Sequence, residues 1–160
     1  MRKVERNRAG ATILVGAMML LICLSVSQMP SAKAISTGWQ SETALEGGLY
    51  LEGSVQVDDM MYLMGGRYSH PGPVLTNVSS YNLETGESTS LTSLPNATCG
   101  QAAAAHEGKI YSISGWNRTH GYMPEMQIYD IENDSWEHGP EVPHPAQHSR
   151  ATTAPDGRIL

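Results

Sequence analysis

Three histidines fall close together late in the sequence, and His144 and His148 have the spacing of two metal ligands on one helical face. Pro143 and Pro145 remove that option, because proline withholds a helical donor and clashes with the preceding turn. His138 then stands without a partner pair. Asp130, Glu132 and Asp134 alternate acids as a calcium loop does at its start. The two cysteines, Cys23 and Cys99, make neither a CxxC pair nor a disulfide framework. No nucleophile elbow, phosphate-binding loop or zinc motif occurs. These residues predict no metal site, no cofactor and no catalytic set.

The composition is that of a globular chain, 40% hydrophobic and 16% charged over 160 residues. Phe is absent, so 7 Tyr and 3 Trp supply the aromatic area. With 16 Gly and 9 Pro among many short apolar runs, the pattern predicts an all-β, turn-rich protein. Residues 1–34 carry Arg2, Lys3, Arg6, Arg8 and Lys33 against the single acid Glu5, so the remainder is more acidic than the net −6 of the whole. An acidic body repels phosphate backbones, which argues against nucleic acid as a partner.

The basic start, the uncharged run Ala9–Val26, Pro30 and the triplet Ala32-Lys33-Ala34 follow the order of a secretory signal. Small residues at 32 and 34 place cleavage after Ala34. The competing reading is an uncleaved anchor, since the apolar run at helical rise spans roughly 27 Å, close to a bilayer core. In that case residues 9–26 are the membrane contact. Either way the body, joined by a linker at 35–49, is expected outside the cytoplasm. Four N-x-S/T triplets, at Asn77, Asn96, Asn117 and Asn133, are turn chemistry first and glycan acceptors only on a eukaryotic export route.

Self-comparison organises the rest. Asp59-Met60-Met61-Tyr62-Leu63-Met64-Gly65-Gly66 aligns with Gly108-Lys109-Ile110-Tyr111-Ser112-Ile113-Ser114-Gly115 at an offset of 49. Tyr81–Ser88 aligns with Tyr129–Trp136 at 48, as does Pro95 with Pro143. Gly157-Arg158-Ile159-Leu160 opens a third copy, 49 after Gly108. Each copy reads as four short strands. In the second these are Gln101–His106, a turn at Glu107-Gly108, Lys109–Ser114, a polar loop from Trp116 to Pro124, Glu125–Asp130, and an edge strand near Trp136. No helical periodicity follows residue 35.

A strand ending in Gly-Gly, a loop, and then Tyr and Trp separated by six residues resembles the kelch repeat. Gly65, Gly66 and Tyr81 carry the resemblance in the first copy; Gly115, Tyr129 and Trp136 carry it in the second. Ser114 replaces one Gly, and Ser88 stands where a Trp is expected. The resemblance implies a partial β-propeller of four-stranded antiparallel blades, with a blade at 50–97, another at 98–146 and the start of a third at 147–160. It makes Asp130, Glu132 and Asp134 an interstrand turn. The Gly pair allows positive φ and close backbone approach, and the aromatic residues glue blade faces together. A closed propeller needs more blades than this, so a piece of a longer protein is expected, with residues 35–160 marginal alone.

Propellers of this kind meet ligands on one loop face. The resemblance assigns to it the positions after the Gly pair, Arg67, Tyr68, Trp116 and Asn117, and those before the innermost strand, Thr98, Cys99, Gln147 and His148. Arg67 is suited to hold a carboxylate, and Trp116 to stack on a sugar or peptide. The expected function is an exported, non-enzymatic module recognising a protein or a carbohydrate. The alternative is the N-terminal part of a sugar-active enzyme, an epimerase or copper oxidase, whose remaining residues lie beyond Leu160.

Overall fold

The computed structural model describes residues 48–160. The signal or anchor expected over 1–34, and the linker expected over 35–49 apart from its last two residues, lie outside the described residues. Two four-stranded antiparallel sheets dominate. The first orders β1 (Gly53–Val57), β2 (Met60–Met64), β3 (Val78–Asn82) and β4 (Ser88–Leu91) as a meander. The second begins with β5 (Ala102–His106) and β6 (Lys109–Ile113). A small hairpin of β7 (Trp116–Asn117) and β8 (Gly121–Tyr122) interrupts it, and β9 (Met126–Asp130) and β10 (Ser135–His138) complete it. Among the described residues there is no helix.

Local sequence explains the turns. His106 pairs with Lys109 across Glu107-Gly108, whose φ values of 48° and 74° are both positive. That is the two-residue turn whose twist matches the flanking strands. The sequence predicts a polar loop over 116–124, but the structure folds part of it into β7–β8. The reason is Asn117, whose Oδ1 accepts the Thr119 and His120 amides at 3.0 and 2.7 Å, an Asx turn that reverses the chain. After β10, Thr152 and Leu160 exchange backbone hydrogen bonds of 2.9 Å, and the Ala154 amide donates to the Arg158 carbonyl at 2.8 Å. This hairpin begins where the repeat sequence starts again.

The core lies between the sheets. Register fixes which side each residue faces: Tyr62 pairs with Val55 and Ser80, and Met64 with Val78, so they share one face of the first sheet. Ile110 pairs with Tyr129, and Tyr129 with Trp136, on the facing side of the second. These two faces meet in one cluster, with Leu94 filling the space between. The Tyr129 ring is tilted against Trp136 at 5.0 Å and against Tyr62 of the first blade at 6.4 Å. Tyr81 pairs with Met61, so it faces the other side of the first sheet. Tyr62, which the Gly-Gly…Tyr…Trp pattern does not include, is the first blade's aromatic contribution to this core.

Polar contacts lock the same seam. Trp136 Nε1 donates to the Thr92 carbonyl at 2.8 Å, and the Thr92 amide donates to Asp134 Oδ1 at 2.9 Å. The Tyr129 hydroxyl donates to the same Asp134 oxygen at 2.6 Å. Gln127 clasps the Asn96 backbone from both sides, accepting its amide at 2.8 Å and donating to its carbonyl at 3.1 Å. Asp130 thus ends β9, and Glu132 and Asp134 lie in the turn that follows, whose last acid ties two blades together. Ser88, where Trp is expected, is exposed at the start of β4.

Burial, and then the bond to Asp134, raises the Tyr129 hydroxyl pKa well above the ordinary tyrosine range; burial and the nearby Asp58 carboxylate raise that of Tyr62. An unfolded tyrosine ionises near pH ~10 while the folded chain keeps its proton, so this stabilisation is complete below that pH and is lost above it. Urea unfolding is therefore expected to show stability falling between about pH 10 and 12, with a shallower fall in Tyr129→Phe. Equal slopes for the two proteins would contradict it.

Candidate functional site

Both blades use the same device at the end where β2 and β6 leave the sheet. Gly65 and Gly66 have φ of 64° and 83°; Ser114 and Gly115 have 58° and 106°. The Gly66 amide donates to the Thr98 carbonyl at 2.9 Å, and the Gly115 amide to the Ala146 carbonyl at 3.0 Å. Each reversed segment thereby reaches the strand-entry segment of the next blade. Ser114 tolerates the left-handed conformation because its Oγ donates to the Ala146 carbonyl at 2.9 Å and accepts the Ala146 amide at 2.8 Å.

The residue after each pair bonds to the residue three positions before the innermost strand of its own blade. Arg67 bridges Tyr50 and Trp116 bridges Cys99, each through two backbone hydrogen bonds of 2.9 to 3.0 Å. Leu51, Gly100 and His148 all take positive φ, 60°, 67° and 62°. The Gly100 amide donates to the Leu51 carbonyl at 2.6 Å, and the His148 amide to that of Gly100 at 2.8 Å. A backbone chain of bonds thus passes from blade to blade beside the loops.

Arg67, Trp116, Gln147 and His148 come together here, with Tyr50, Leu51 and His70 completing the wall of a cavity of about 320 Å³. Arg67 is only 5% exposed. Its guanidinium carbon lies 5.2 Å from the Trp116 ring centroid and 5.9 Å from that of Tyr50. Nη2 donates to Cys99 Sγ at 2.7 Å, the thiol in turn donating to the Trp116 carbonyl at 3.4 Å. Nε is buried without a partner. Among the described residues no carboxylate pairs with Arg67; the ion pairs are His106–Glu107, Lys109–Glu137 and Arg158–Asp156.

That imbalance has a magnitude. Taking a cation out of water costs several kcal/mol, whereas each ring contact returns about 0.5–2 kcal/mol and a thiol is a weak acceptor. Among the described residues, no anion offsets that cost.

The remaining sequence-derived positions divide. Tyr68 is exposed at 51%. Thr98 and Cys99 are wholly buried, Thr98 Oγ1 donating to the Ser114 carbonyl at 3.2 Å, so they shape the loops from behind. Asn117 is buried and spends its amide nitrogen on the Ala97 carbonyl and Met123 Sδ. Residues of this end that the sequence does not single out include Tyr50, Leu51, His70 and the exposed Tyr122. Tyr50 had a signal, since it precedes Cys99 by one period. Among the described residues no group of three or more His, Cys, Asp or Glu is placed to hold a metal ion.

Consecutive four-stranded blades, packed face to face and joined through recurring loops at one end, define a β-propeller repeat protein. Within that class the chain belongs to the kelch family: the Kelch motif matches residues 53–95 and 97–143. It is 33% identical over 103 residues to alpha-scruin of Limulus polyphemus, covering 61% of this chain and 11% of that protein. With beta-scruin of the same animal it shares 26% identity over 121 residues, covering 72% of this chain and 13% of the relative. The chain thus spans only a small part of the relatives' length.

Proposed function

We propose that this chain is a protein-interaction module whose recognition face is the glycine-pair end of its blades. One observation carries the reading: the buried cation of Arg67, framed by Tyr50 and Trp116 and lacking an anion among the described residues, opens onto a cavity at that end. The exposed rings of Tyr68 and Tyr122 flank the same loops, and aromatic and arginine side chains are the usual anchors of protein interfaces. Kelch membership favours the same reading. Of the two ligand classes expected from the sequence, a protein is the better fit than a carbohydrate. The guanidinium already lies over the Trp116 ring, so that face is not free to stack on a sugar.

Export remains part of the proposal, resting on the basic-apolar-small order of residues 1–34. A photo-crosslinking amino acid at Tyr68 or Tyr122, compared with one at Leu83 in the exposed turn between β3 and β4, tests both parts in the native host. Crosslinks to a partner are expected from the first two sites, in protein recovered outside the cytoplasm and starting at Ile35. Crosslinks confined to Leu83 would remove the loop-face reading, and a protein retained in the cytoplasm would remove export.

A further inference from the structure

We propose that a second cavity, walled by the entries to the innermost strands, binds a free α-amino acid with an uncharged side chain. This site does not depend on the loop-face reading. The cavity measures about 380 Å³, within the usual range for a small-molecule site. Three chain segments build it, and the repeat brings them together. Glu52 stands just before β1, Gln101 one period later just before β5, and Ser149 one period later again. Backbone bonds fix their spacing: the Gly100 amide donates to the Leu51 carbonyl at 2.6 Å, and the His148 amide to that of Gly100 at 2.8 Å. Gln101 is 3% exposed and its Nε2 donates to the Met64 carbonyl at 2.8 Å, so it closes the wall rather than meeting a ligand.

Charge selects the occupant. Among the described residues the wall carries one acid, Glu52, and one permanent cation, Arg150, and the two form no ion pair with each other. Glu52 is half-buried and Arg150 exposed, so neither is consumed by the core. Direct closure of a solvated pair contributes little, so a molecule that satisfies the two charges separately displaces no strong contact. An ammonium group suits the Glu52 carboxylate, and a carboxylate suits the planar fork of Arg150. A simple anion is repelled by Glu52 and a simple cation by Arg150, whereas an α-amino acid near neutral pH carries both groups on one carbon. Ala102, Ala103 and Ala151 leave room beside them for an uncharged side chain.

The test titrates the full chain by calorimetry with L-leucine, with N-acetyl-L-leucine, which lacks the ammonium group, and with L-leucinamide, which lacks the carboxylate. L-Leucine is expected to bind at least about tenfold more tightly than either, the scale of one charge-assisted contact. Two variants separate the ends of the site. Glu52→Gln is expected to bind L-leucine no better than N-acetyl-L-leucine while keeping the preference over L-leucinamide, and Arg150→Gln is expected to do the reverse. Neither side chain belongs to the core, so both variants are expected to keep the native melt. Equal affinity for the three compounds overturns the proposal, and so does a preference that survives both substitutions. Absence of L-leucine binding at millimolar concentration overturns it as well. Crosslinking from Tyr68 and Tyr122 decides the loop-face reading separately, whichever way these titrations fall.

Discussion

Replacing Tyr129 with alanine is expected to lower the unfolding free energy by about 3–5 kcal/mol, the cost of emptying a well-packed aromatic site. The ring is 1% exposed and touches both Tyr62 and Trp136, so its removal opens the seam between blades rather than one sheet. Its hydroxyl also supports Asp134, which in turn holds the Thr92 amide. Tyr129→Phe keeps the ring and loses only that bond, so about 1–2 kcal/mol is expected. A domain of ordinary stability, about 5–15 kcal/mol, is brought near its limit by the alanine change. Urea titrations followed by tryptophan fluorescence check both values. A loss below about 1 kcal/mol for alanine would mean that the blades do not share this core.

Gly65→Ala is the second large effect, expected at about 2–4 kcal/mol from two separate causes. A Cβ at this position would meet the Thr98 carbonyl oxygen at 2.3 Å and Gln101 Nε2 at 2.8 Å, and φ is 64°. The carbonyl cannot retreat freely, because it accepts the Gly66 amide at 2.9 Å. Gly108→Ala separates the causes: φ there is 74°, but nothing lies within 4 Å of the added carbon. It is expected to show only the conformational cost, about 1–2 kcal/mol. Equal losses at the two glycines, measured by the same urea titrations, would show that close approach at Gly65 contributes nothing.

Much of this architecture is legible in the sequence because a blade is specified locally. Alternation in Lys109–Ile113 and the turn at Glu107-Gly108 set strand and hairpin within a few residues, and the 48–49 residue offsets then place the second copy on the first. The Tyr129–Trp136 pair is readable for the same reason, since both sit on one strand pair. The partners of that pair are not readable. Tyr62 and Thr92 reach it from the other blade, and no spacing rule within a repeat records a contact between repeats.

The recognition site is half legible. Arg67 and Trp116 are one period apart, so the repeat brings them to the same end, and a cation set in an acidic body stands out from the sequence alone. Its burial depends on Tyr50 and Cys99, which meet it through an isolated bridge and the next blade's loop. Ser114, a departure from the Gly pair, keeps the left-handed turn by bonding the Ala146 backbone. Asn117 reads as an exposed ligand residue or glycan acceptor in sequence, yet its role is to fold the β7–β8 hairpin from inside.

The desolvated state of one guanidinium is the point on which the recognition reading turns, and its Nε proton reports it directly. In a proton–nitrogen spectrum of the chain labelled at arginine, one Nε–H, identified by its absence in Arg67→Lys, is expected upfield from the two rings. It is also expected to exchange with water far more slowly than the Nε–H of a solvated arginine. An Arg67 Nε–H that exchanges as fast as a solvated arginine and keeps its unshifted position would contradict the buried, unpaired cation.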